Sequence, residues 1–360
     1  MRFIIFVILL LNLFACNNEE VNNENFSYLP DAVGGYSTLN IVADQTLWDN
    51  GLKKQVEPIF TKEIKGLLNR EPEFDLQTIR SKAFNRLFQR QRHILIFVTS
   101  KKISKKGISV KKNIFAKGQI IVQVSGSSNK ETTQIFNEKK LQIFKLFENH
   151  RTSIIQKLAK LKNNLSLENQ LSNSQGIQLI IPQSYQLALD TANFFYVTKK
   201  AKIKCEKFNH GSCYIQTGIF TYFFDYTSQD IFTPNKFIAM RDSITKQYIE
   251  GSSQRDSLRS YMKVYKGLSV STKDVNLNGN FAFEVKGWWD LQNGTMGGPF
   301  VSVAYVDELR NRVIVVDAFV FGPNFNKRRF IKELEADINT AIEGGHNVGL
   351  VGHSIGGYYA

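Results

Sequence analysis

Three stretches between residues 281 and 321 constrain the fold more than any other part of the chain. Residues 281–289, 300–306 and 312–321 are rich in Val, Ile, Phe, Tyr and Trp, the residue types that suit a pleated, buried surface. Turn signals separate them: Asn293-Gly294 after the first and residues 307–311 after the second. Runs joined this closely pair antiparallel, because a parallel crossover takes a dozen residues or more. Further strands are expected at 36–43, 73–78, 94–98, 118–124, 177–181, 194–197 and 214–224. Helical spacing of apolar residues predicts a helix from Gln45, with Asp44 as N-cap and Leu47, Trp48, Leu52, Val56 and Phe60 on one side. A short helix falls near 81–89, and a long one over 128–162 carries Phe136, Ile143, Phe147, Ile154, Leu158 and Leu161. Residues 163–176 read as polar loop. Thr233-Pro234 opens another helix that stops at Gly251, and a last one over 327–342 aligns Phe330, Ile331, Leu334 and Ile338. Strands outnumber crossovers, so the expected class is α+β, with largely antiparallel sheet packed by amphipathic helices, one of them long.

The first residues are set apart from this pattern. Met1-Arg2 is a minimal positive region, and residues 3–14 form an apolar run too short to span a bilayer as a helix, which takes ~20 residues. The run ends in Leu13-Phe14-Ala15-Cys16, which looks like a bacterial lipobox whose cysteine thiol takes a diacylglycerol. Residues 1–15 are therefore expected to be a signal peptide and 16–28, polar and acidic, a flexible tether. One α+β domain over 29–343, or two subdomains meeting near 163–176, would follow, with an atypical tail over 344–360. Asn17, rather than Asp, after the cysteine favours the outer membrane as destination. The expected partner is thus a membrane, held through the N-terminal lipid, with envelope proteins or glycans as further candidates.

The formal net charge of +14 would suggest nucleic acid in a cytosolic protein, but export argues against that partner. The lysines at 101–112 and 199–207 read as solvated loops, with anionic headgroups or acidic glycans as the alternative. Of the three cysteines, Cys205 and Cys213 remain for a disulfide across a turn-like Asn209-His210-Gly211-Ser212. The five histidines show no metal-ligand spacing, and neither a metal nor a cofactor is expected.

Three motifs carry chemistry or mimic it. Gly352-His353-Ser354-Ile355-Gly356-Gly357 matches the nucleophile elbow of a hydrolase, but no acid or histidine follows Ser354 as that fold requires, so an envelope hydrolase is the disfavoured alternative. Trp288-Trp289 with Met296-Gly297-Gly298-Pro299 reads either as an aromatic platform for sugar or lipid, or, preferred, as a core tryptophan beside a turn. Asp190-Thr191-Ala192, Asp242-Ser243-Ile244 and Asp256-Ser257-Leu258 match a short O-glycosylation pattern at Thr191, Ser243 and Ser257.

Longer segments carry a family resemblance. Leu29-Pro30-Asp31, Trp48, Glu71-Pro72-Glu73-Phe74-Asp75 and residues 88–95 are similar to uncharacterised Bacteroidota lipoproteins with a domain of unknown function. Phe224-Asp225-Tyr226-Thr227, Arg241-Asp242-Ser243, Gly287-Trp288-Trp289, Lys327-Arg328-Arg329 and Leu334-Glu335-Ala336 extend that resemblance to nearly the whole mature chain. It implies no catalytic residue and no activity. A lipid-anchored binding or assembly component of the envelope is the expectation that remains.

Overall fold

A computed structural model describes residues 29–204, 212–251, 258–323 and 325–343. The chain divides into two compact units, one formed by residues up to Val56 with 76–143, the other by 57–75 with the residues from Phe144 onward.

In the first unit β1 (Thr38–Ala43) leads through irregular helical turns into α1 (Lys53–Phe60), which passes into the second unit. The stripe Leu47, Trp48, Leu52 and Val56 is buried as expected. The helix over it is broken, however, because Gly51 takes φ +116, and the Asp44 side chain makes no cap hydrogen bond. β2 (Asp75–Arg80), α2 (Arg86–Gln89), β3 (His93–Thr99), β4 (Gly107–Lys112) and β5 (Ile120–Gly126) follow. The sheet order is β2-β1-β3-β5-β4. β1, β3 and β5 run parallel, and β4 closes the edge antiparallel. The central strands are buried almost throughout, which is why they read as apolar runs rather than alternations. Residues 107–112, expected as loop, are this edge strand; Lys111 and Lys112 stand exposed at its end, where charge discourages further pairing.

α3 (Asn129–Leu161) begins on the first unit, where Phe136 packs against Phe97 at 5.4 Å, and ends in the second. Its buried stripe there is Phe144, Phe147, Arg151 and Ile155. Leu158 and Leu161, assigned to the buried face from spacing, are 46% and 69% exposed. The stripe continues by fours from Phe147 through a buried arginine, which apolar counting skips. The expected loop at 163–176 is a helix, α4 (Leu165–Gln175). Asn164 Oδ1 caps it by accepting from Leu167 N, and Gly176 ends it at φ +63.

The second unit is built on a nine-stranded antiparallel sheet. Its strands are β6 (Gln186–Asp190), β7 (Phe194–Lys204), β8 (Ser212–Asp225), β9 (Glu250–Gly251), β10 (Ser260–Val264), β11 (Ser271–Leu277), β12 (Asn280–Gln292), β13 (Gly297–Asp307) and β14 (Arg312–Phe321). The order is β9-β10-β12-β13-β14-β8-β7-β6, with β11 pairing β12. α5 (Pro234–Tyr248) intervenes between β8 and β9, and α6 (Arg328–Ile338) follows β14. Alternation divides the central strands cleanly. Ile314, Val316, Ala318 and Val320 enter one core with Leu167 and Leu171 of α4 and Ile331, Leu334 and Ile338 of α6. Val313, Val315 and Phe319 enter the other, with Phe237 of α5. The molecule is thus α+β, its larger sheet antiparallel and its smaller one mixed, with one long helix.

Candidate ligand-binding site

The face of the large sheet that carries α5 bears a row of three rings, Trp289 on β12, Phe319 on β14 and Tyr196 on β7. Phe319 lies 5.4 Å from Trp289 and 6.2 Å from Tyr196, centroid to centroid. The strands between them contribute glycine where the rings meet. A Cβ at Gly218 would run into the Phe319 ring and come within 2.9 Å of Tyr196, and one at Gly298 would overlap the Val320 carbonyl oxygen. The rings can therefore lie over their neighbouring strands and close up on one another.

Above them is a cavity of about 590 Å³ whose lining includes all three rings, within the roughly 300–1,000 Å³ usual for ligand sites. Tyr248 and Ile249 at the end of α5, Met262 of β10, Leu291 of β12 and Met296 in the β12–β13 turn add to its apolar lining, with Ala188 and Leu189 of β6. Tyr248 is held by stacking on Phe194 at 4.3 Å, and Met296 by its carbonyl, which accepts from Leu291 N. The polar lining is Lys200, Gln216, Gln247 and Glu250, of which Lys200, Gln247 and Glu250 are exposed. Gln216 Nε2 donates to Thr198 Oγ1 at 3.4 Å and receives Tyr214 OH at its Oε1. Burial raises the Tyr196 phenol above its ordinary value, so it stays neutral at the floor. Among the lining residues there is no serine, cysteine, histidine or aspartate. The rings, thioether and aliphatic side chains of this surface suit dispersion and apolar burial.

The sequence picks out Trp289 and Met296 but not their setting. Trp289 is only 1% exposed and the turn beside it places Asn293 at φ +62, so the segment is a core tryptophan beside a turn, with the Trp289 ring also reaching the cavity lining. Tyr196, Phe319 and Met262 were not singled out, since their convergence depends on strands distant in sequence.

Beside the cavity, Arg241 of α5 forms a fully buried pair with Asp317 of β14, at 2.7 Å through Nε and 3.1 Å through Nη2. Ser302 donates to the same carboxylate, and Arg241 also reaches Met262 Sδ at 3.6 Å and covers the Phe300 ring at 3.8 Å. Burial pushes Asp317 up from its ordinary value, and Arg241 opposes it. A second network joins α6 to the 57–75 segment. Glu71 accepts from Lys327 N and Arg328 N at the helix start, and Glu73 binds Arg151 and Lys332. Glu335, drawn down to about 2 against burial by Lys286 and Lys332, completes it.

The remaining sequence candidates fall apart from the cavity. Cys213 is buried on β8 and disulfide-bonded; Cys16 and Cys205 lie outside the described residues. Thr191 is half-buried between β6 and β7, its Oγ1 engaged with Phe194 N and O at 3.2 Å. Ser243 is exposed on α5, while the neighbouring Asp242 accepts from Val264 N at 2.7 Å. Ser257 and Ser354 lie outside the described residues. Among those described, no group of three or more His, Cys, Asp or Glu could hold a metal, and no helix is long and apolar enough to cross a membrane.

The site is thus an aromatic cavity on an antiparallel sheet, with charged side chains at its mouth. Residues 32–160 match the family described as Domain of unknown function (DUF8532), and residues 164–340 that described as Domain of unknown function (DUF4837). The two matches together cover nearly the whole chain. No curated protein matches it. Among solved structures, a mutant of the protein Mog1 is 7% identical, with 48% of this chain and 93% of that one covered at a TM-score of 0.28.

Proposed function

We propose that the protein is a lipid-anchored binding component of a bacterial envelope, attached at an outer membrane through Cys16, whose ligand occupies the cavity of the second unit. The observation that carries the binding role is the cavity floor of Tyr196, Phe319 and Trp289, walled by Met262, Leu291 and Met296. The anchoring half rests on the apolar run, the Leu13-Phe14-Ala15-Cys16 sequence and the polar tether after it.

The cavity is tested with Nile red, a neutral apolar dye whose emission reports burial. The protein is expected to bind it, and Met296→Trp, which fills the cavity from a turn, is expected to abolish binding without lowering Tm. Undiminished binding to a folded Met296→Trp protein would move the ligand elsewhere.

A further inference from the structure

The charge at the cavity mouth has a pattern that the apolar floor does not require. β7 alternates beyond Val197: Ala201 and Ile203 pack against the core under the sheet, while Lys200, Lys202 and Lys204 stand exposed on the face that carries Tyr196. Lys200 is itself part of the lining. The other two continue outward from it, so three ammonium groups extend over about 13 Å of strand. Among the described residues, none of the three is paired with a carboxylate. Across from them on β8 are Gln216 and Tyr214, in register with Lys200 and Lys202, and Tyr214 leans on Phe321 at 6.3 Å. Like charges held in a row repel one another, and an anion among them relieves that repulsion. One end of the row opens on a cavity of rings and thioethers; the other faces solvent.

We infer that the cavity takes the hydrocarbon chain of a single-chain anionic amphiphile, a fatty-acid-like carboxylate, with its head among Lys200, Lys202 and Lys204. This rests on the reading of the cavity as a ligand site and specifies its occupant. The chain supplies affinity, at roughly fourfold per buried methylene, and the lysine row supplies orientation and selection for charge. One cavity of this size receives one chain, which separates a free amphiphile from a two-chain bilayer lipid.

The test compares cis-parinaric acid with its methyl ester, same chain and no charge, by energy transfer from tryptophan. The full chain carries Cys16→Ser, so that neither its own acyl groups nor detergent competes. The acid is expected to bind about tenfold more tightly than the ester at low salt, with the difference shrinking as NaCl rises. Combined Lys200→Glu, Lys202→Glu and Lys204→Glu should abolish that preference by weakening acid binding about tenfold, with an unaltered thermal unfolding midpoint showing that the variant is folded. Equal affinities for acid and ester, insensitive to charge reversal, would overturn the inference while leaving the cavity as an apolar site. If neither probe binds, or if Met296→Trp leaves both bound as before, the cavity reading falls as well.

Discussion

Arg241 sits in a place where spacing alone would have put an apolar residue, on the buried side of α5, and its only carboxylate contact among the described residues is Asp317. Removing one partner of such a pair strands the other charge, which typically costs 3–5 kcal/mol, whereas replacing both with apolar residues is often neutral. Arg241→Met is therefore expected to lower unfolding stability by about 4 kcal/mol, and Arg241→Met with Asp317→Leu to recover most of it, as read by urea denaturation. Asp337 is a different case. It is buried near Glu333, with Lys199 as its one favourable charge, and its carboxyl is pushed up to about 8, chiefly by burial. The native state thus holds the proton more tightly than the unfolded state, whose ordinary value is 3.8. Stability from this group is complete below about pH 4 and is lost as pH rises toward 8. Asp337→Asn should flatten that decline and leave the protein about 5 kcal/mol more stable than wild type at pH 8, with little difference at pH 4. A parallel pH dependence in the two proteins would show that Asp337 is ionised throughout.

At the scale of elements, α6 is completed from far away in sequence. Its N-cap residue Lys327 offers no side-chain cap, and Glu71 instead accepts from the first two backbone amides, each at 2.7 Å. A carboxylate there satisfies donors that would otherwise be buried and meets the positive end of the helix dipole. Glu71→Gln retains the shape and removes the charge; thermal melting should show a loss of about 1–2 kcal/mol. The same arrangement explains two segments that the sequence marks without explaining. Glu71-Pro72-Glu73-Phe74-Asp75 and Lys327-Arg328-Arg329 are the two halves of one charge network, with Asp75 paired to Arg328. Helices with a continuous apolar stripe and a Pro start, such as α5, were legible. α4 was not, although Asn164, Leu167, Leu171 and Gly176 supply a cap, two apolar residues four apart and a stop, because its polar remainder outweighs two leucines in a composition count. β6, β10 and β11 were likewise missed. β6 and β11 are exposed along most of their length, so they are held by pairing rather than by a pattern of their own, while β10 alternates over only five residues.

For the molecule as a whole, the proposed attachment to a membrane is the reading most open to a single substitution. Cys16→Ser is expected to leave the protein unlipidated and recovered in the soluble fraction after a high-salt wash, and retention equal to wild type would remove the anchor from the proposal. The sequence by itself determined the elements whose signal is local: the α+β class and the long alternating strands from β12 to β14, since period two needs only one buried face to be visible. Tertiary structure alone decided the cavity. Tyr196, Phe319 and Trp289 become neighbours because Gly218 and Gly298 leave room between their strands, and Lys200 joins the lining, with Lys202 and Lys204 following it on the same face, because β7 keeps its alternation to its end. Those relations depend on the register of strands that pair across as many as 100 residues, as Thr217 does with Val320, and no local period encodes such pairing.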